Sequence, residues 1–128
     1  MEGRKAILKS EAGKAFRRKD YDMTLVFYNS AINLAPDETL YSNRSICKSL
    51  MGDGEGALSD AYQCKMIRPG WAKTCYRQAV AHIVLKEYKE AGEAILEAQE
   101  LDPETEDIEI EIRKAMEFVK ISLDESQE

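Results

Sequence analysis

The chain has 128 residues and 44% apolar content, enough for one domain with its own core and no metal or disulfide staple. Eighteen basic residues against 24 acidic ones give a net charge of −6, which repels phosphate backbones and argues against nucleic acid as a partner. No stretch reaches the ~20 apolar residues of a membrane span, MEGRKAILKSEAGKAF lacks a secretory signal's pattern, and three cysteines without a CxxC pair suit reduced thiols in a cytoplasmic or nuclear setting.

Periodicity and breaker residues place a first helix near 4–18, a turn at Arg18–Tyr21 and a second helix near 22–34. A third helix near 38–51 precedes the turn Met51–Gly54, and a fourth runs near 55–67. Gly52, Gly54 and Gly56 are expected to weaken the start of that fourth helix, because glycine costs about 1 kcal/mol per helical site. A fifth helix near 71–85 and a sixth near 88–101 flank the turn Lys86–Tyr88. Asp102, Pro103 and Glu104 then read as an N-cap, a first-turn proline and an early acid. They open a predicted seventh helix at about 103–121, with Ile108, Ile112, Ala115, Met116 and Val119 as its apolar stripe. Its IEIEI segment alternates like a strand, but the repeat context favours a helix. A polar tail, 123–128, follows.

The three prolines, Pro36, Pro69 and Pro103, lie 33 and 34 residues apart and close the similar runs SAINLAP, QCKMIRP and EAQELDP. A period of about 34 residues is that of the tetratricopeptide helix–turn–helix unit. Units at about 5–37, 38–71 and 72–105 keep small residues in register: Ala12, Ser45 and Ala79; Thr24, Ala57 and Ala91; Ala31, Cys64 and Ala98. Larger residues recur at Leu8, Tyr41 and Cys75, and at Leu34, Ile67 and Leu101, so neighbouring helices interlock. The second unit is degenerate, with Lys48 where its neighbours have Ala15 and His82. The expected fold is all-α: three such repeats in a right-handed superhelix over residues 1–122, capped by the seventh helix.

In such stacks the first helix of each pair lines a concave face. The register puts Lys9, Gly13, Phe16 and Arg17 there from the first unit, and Ser42, Asn43, Ile46, Ser49 and Leu50 from the second. The third contributes Lys73, Tyr76, Arg77, Val80 and Ile83. Cations and an amide at one end, with apolar side chains beyond, suit an extended peptide ending in a free carboxylate.

LYSNRS (Leu40–Ser45) and GWAKTCYR (Gly70–Arg77) resemble the dicarboxylate-clamp repeats of cytosolic co-chaperones. That family holds the Glu-Glu-Val-Asp tails of large heat-shock chaperones. The resemblance implies clamp roles for Lys9, Asn43, Lys73 and Arg77, while Gly13 stands where the family has an asparagine. The missing amide implies a loss of ~1.5–3 kcal/mol if nothing replaces it. RRKDY, SAINLAPDETLYSNRS and RPGWAKTCYR resemble more closely the repeat module at the carboxyl end of plant ankyrin-repeat proteins, which implies an excerpt of a longer protein.

Plainer readings stand beside these. Lys73 and Arg77 fit a solvated helix face, Asn43 fits a bridge between helices, and Arg17, Arg18 and Lys19 form a basic run suited to a solvated turn. His82 and the cysteines sit at packing positions, and Trp71 anchors the start of the fifth helix. No nucleophile elbow, phosphate loop or metal-ligand spacing is present, so neither an enzyme nor a cofactor is expected. Two binding functions compete: a chaperone adaptor for an acidic carboxyl-terminal tail, and a scaffold whose apolar groove takes another protein with the clamp degenerate at Gly13. A monomer is expected in either case.

Overall fold

The computed structural model describes residues 2–103 together with Ile110, Arg113 and Glu117. Six helices follow in order: α1 (Glu2–Arg17), α2 (Tyr21–Leu34), α3 (Glu38–Leu50), α4 (Gly54–Ile67), α5 (Ala72–Val84) and α6 (Tyr88–Leu101). The predicted seventh helix and polar tail lie outside the described residues, apart from Ile110, Arg113 and Glu117, which are helical and exposed. Asp102 is the C-cap of α6, its N–H donating to the carbonyl of Ala98.

One turn geometry serves all three helix pairs. Lys19, Gly52 and Lys86 take φ values of 62°, 84° and 62°, the left-handed conformation that reverses the chain within a few residues. Asp20 and Asp53, the next residues, accept the N–H groups of Met23 and Gly56 at 3.2 and 2.9 Å and so cap α2 and α4. Glu87 holds the same place before α6 but makes no side-chain cap. Its carboxylate lies 3.0 Å from Nδ1 of His82 instead. Asp37 caps α3 through the N–H of Leu40 at 2.7 Å. Trp71, at the equivalent place before α5, makes no such bond.

The small-residue register becomes the helix interfaces. Ala12, Ser45 and Ala79 are fully buried, as are Thr24, Ala57, Ala31, Cys64 and Ala98. Ser45 Oγ donates to the carbonyl of Ala57 at 2.8 Å, satisfying a buried hydroxyl where α3 crosses α4. The larger register positions depart from expectation at the ends of the second helices. Ile67 is 47% exposed and Leu101 40%, because each stands in the last turn of its helix, beyond the closely packed stretch.

Gly54 also corrects the expectation that it merely weakens α4. A Cβ there would stand 2.6 Å from Cγ of Leu85 and 3.2 Å from Val84, so the glycine lets α4 approach the end of α5. Lys48, the other irregular residue of the second unit, finds a buried acid. Asp60, 2% exposed, accepts from Arg44 Nε and Nη2 at 2.9 and 2.7 Å and lies 3.1 Å from Lys48 Nζ. Arg44 also donates to Asn29 at 2.9 Å, so one arginine joins α2, α3 and α4.

The stacking defines an inner face. α3 packs on α5 as well as on α4, and α4 packs on α5. No comparable packing joins α4 to α6, which the Lys65–Glu97 ion pair connects at 2.9 Å. In the second and third pairs the first helices, α3 and α5, approach while α4 and α6 spread. So α3 and α5 lie on the inside of the curve, the side to which the repeat register also assigns α1.

Candidate functional site

On α1, Lys9, Gly13 and Arg17 recur at four-residue steps and form one stripe. Lys9 Nζ stands 3.9 Å from Oδ2 of Asp37, whereas Lys5 Nζ reaches the same oxygen at 2.7 Å. Burial alone would raise the Asp37 carboxyl. The bonds from Lys5 and the Leu40 N–H, with the charge of Lys9, outweigh it and hold the group below the usual carboxylate range. Gly13 leaves room on the stripe: a Cβ there would meet nothing nearer than Nη1 of Arg17, at 3.5 Å. Phe16 is half-buried against the ring of Tyr21, centroid to centroid 5.8 Å.

Arg77, on α5, reaches back to α3. Its Nε donates to Ser42 Oγ at 3.0 Å and to the Ser42 carbonyl at 3.2 Å. Asn43, the next residue of α3, hydrogen-bonds the hydroxyl of Tyr28 from α2. Burial pushes that hydroxyl's pKa up, while the Asn43 bond and the positive field of Arg77 oppose the shift. Asn43 and Arg77 are therefore gathered around Ser42 and Tyr28. Lys73 lies one turn before Arg77, its ammonium 5.7 Å from the centre of the Trp71 ring, which Arg68 also covers at 4.9 Å.

The apolar residues divide. Phe16, Ile46 and Ile83 are half-buried and remain partly accessible. Ser42, Tyr76 and Val80 are at most 4% exposed, as their side chains fill the helix interfaces instead of an open wall. Val80 packs with Ile46 and Val84, and Tyr76 with Cys75, Ala98 and Ile95. Ser49 and Leu50, also expected on the inner face, are buried.

Sequence reasoning put Ser42 on the inner face without its role of holding Arg77, and it missed Trp71 as the partner of Lys73 and Asp37 as that of Lys9. The one available signal was Trp71, two residues before Lys73 at the mouth of a helix. The thiols are ill suited to nucleophilic chemistry. Burial, with the charge of Asp22 added, pushes Cys47 up to about 12, and burial with the charge of Glu97 pushes Cys75 up to about 11. Among the described residues no cluster of His, Cys, Asp and Glu could hold a metal ion, and no helix is long and apolar enough to cross a membrane.

No protein-family model matches the chain. Heat shock protein STI1 of Saccharomyces cerevisiae is 38% identical over 96 residues, which are 73% of this chain and 16% of that protein. The Sgt2 TPR domain from Aspergillus fumigatus superposes with a TM-score of 0.77 at 28% identity, covering 96% of this chain and 81% of that one. The fold is that of a tetratricopeptide-repeat (TPR) domain. The first TPR of Spaghetti (RPAP3), bound to the HSP90 peptide SRMEEVD, has the same fold at 22% identity, with a TM-score of 0.78 over 91% of this chain and 94% of that one. As a TPR domain the chain corresponds to a small share of its STI1 relative, 16% of that protein's length.

Proposed function

We propose that this TPR domain is a binding adaptor whose α1–α3–α5 face takes the acidic carboxyl-terminal tail of a cytosolic heat-shock chaperone. The observation that carries this reading is the meeting of Asn43 and Arg77 around Ser42 and Tyr28, with Lys73 one turn away. Arg77 and Lys73 supply charge-assisted bonds to carboxylates, Asn43 an amide, and Lys9 a further cation from α1. Phe16, Ile46 and Ile83 offer apolar contact to side chains upstream of the terminus. The relatives support the reading: one is a heat shock protein by name, and the RPAP3 domain binds a peptide ending in Glu-Glu-Val-Asp. In this reading the chain acts in the cytoplasm as a monomer, without cofactor or catalytic role. Within the same proposal it is the repeat module of a longer, ankyrin-bearing plant protein.

Gly13 favours a second reading, in which the clamp is incomplete and the half-buried apolar residues take an internal segment of another protein. Calorimetric titration with Ser-Arg-Met-Glu-Glu-Val-Asp and with its carboxyl-terminal amide separates the two. The clamp predicts a dissociation constant near ~1 μM for the free acid, weakened by salt because the contacts are ionic, and a clear loss for the amide. Equal affinities, or no binding at millimolar peptide, would leave only the second reading.

A further inference from the structure

Arg17 closes α1, exactly two four-residue steps after Lys9 and one after Gly13, on the same stripe. Four residues advance ~6 Å along a helix axis, and helical side chains lean toward the N-terminus. A long side chain at residue 17 therefore folds back over residue 13. That is where the structure has it: Nη1 lies 3.5 Å from the point a Gly13 Cβ would occupy. The Arg17 side chain is exposed and has no hydrogen bond or ion pair among the described residues. The nearest acid along the helix, Glu11, is engaged by Lys14 at 3.3 Å. A guanidinium with no partner among the described residues thus lies in van der Waals reach of the place an absent side chain would start from, on the helix that also presents Lys9.

We propose that Arg17 supplies the carboxylate donor that Gly13 lacks, making it a specificity-determining residue of this groove. The inference rests on the peptide-tail reading and names which further residue holds the ligand. A guanidinium offers two parallel N–H donors and a permanent charge where a side-chain amide offers one neutral NH2 group. The recognised group is a carboxylate, either the chain terminus or the side chain of the final acidic residue. The glycine is then part of the design, because a bare backbone leaves the guanidinium room to swing toward its ligand.

The test uses the same heptapeptide as free acid, as carboxyl-terminal amide, and with its last residue changed to asparagine. Wild type is compared with Arg17→Ala, Arg17→Lys, Arg77→Ala and the double variant Arg17→Ala/Gly13→Asn. Arg17→Ala is expected to weaken the free acid by about ten- to a hundredfold, the range for a lost hydrogen bond to a charged group. Arg17→Lys should recover part of that loss, and Gly13→Asn should restore binding in the Arg17→Ala background. The modified peptide on which Arg17→Ala has no further effect identifies the carboxylate concerned. If Arg17→Ala binds the free acid like wild type while Arg77→Ala does not, the Arg17 inference is overturned and the tail reading stands. Equal losses on all three peptides would also overturn it, as the mark of a general charge effect. If wild type itself binds acid and amide alike, both fall.

Discussion

Arg77 Nε donates to Ser42 at both the hydroxyl and the carbonyl, 3.0 and 3.2 Å away, across 35 residues of sequence. The arginine is therefore fixed on the inner face by the helix next to its own. Arg77→Ala should weaken tail binding by ~10- to 100-fold and lower stability by about 1 kcal/mol for the lost interhelical bonds. Ser42→Ala removes only the hydroxyl, so binding should fall less. Titration and thermal melts of both variants check this, and unfolding of Arg77→Ala would make the residue structural.

Two glycines in helices should respond in opposite directions to alanine. Gly92 in α6 has nothing within 4 Å of a built Cβ, so Gly92→Ala should stabilise, by about 0.5–1 kcal/mol from helix propensity. Gly54→Ala would drive a methyl against Leu85 and should destabilise by about 1–3 kcal/mol, as overpacking does. Urea unfolding of the pair measures the difference, and equal shifts would refute the close approach of α4 and α5.

Asp60→Ala should be among the most damaging substitutions. Asp60 is 2% exposed and is bonded by Arg44 and Lys48, so its removal leaves two cations facing one another without their acid. Breaking such a pair costs about 3–5 kcal/mol, and the partial exposure of both cations argues for the lower end. Asp60→Asn, which keeps the shape, should cost less. A change smaller than about 1 kcal/mol in Asp60→Ala would show that the cluster contributes little.

Acid should erode one identifiable contribution. The Asp37 carboxyl titrates below its usual 3.8 in the folded chain, so the unfolded chain binds that proton more tightly. Its stabilising effect is then complete above the usual value and is lost as pH falls through the lowered one. Thermal melts of Asp37→Asn should show a shallower decline through the carboxylate range than wild type. An unchanged acid slope would mean that Lys5 and Lys9 do not hold this group in solution.

The six helices could be read in advance because breakers and small residues recur at fixed intervals. Pro36, Pro69 and Pro103 set the period, and the buried alanines follow it. Gly54 read as a weakness, since sequence reveals a glycine's entropy cost but not the neighbouring Leu85 that requires it. Asp60 did not stand out among 24 acids, because its partners lie on a different helix and nothing local marks it as buried. For the site, periodicity set Lys9, Asn43, Lys73 and Arg77 on the first helices of the three pairs, and the structure gathers Asn43 and Arg77 around Ser42 and Tyr28. It could not distinguish Ile46 and Ile83, still half-open, from Tyr76 and Val80, which adjacent helices cover. That distinction depends on how closely α3 and α5 approach.

Asp37 holds two lysines at unequal range, Lys5 at 2.7 Å and Lys9 at 3.9 Å. The nearer one neutralises the acid by itself, so the farther one can swap its counter-ion for an incoming carboxylate without stranding Asp37. Under the proposed tail-binding reading, capture is expected to be an exchange of anions at Lys9. Lys5→Ala should impair it by tethering Lys9 at home, although Lys5 need never touch the guest. Unaltered affinity in that variant would mean that the two ammonium groups act independently.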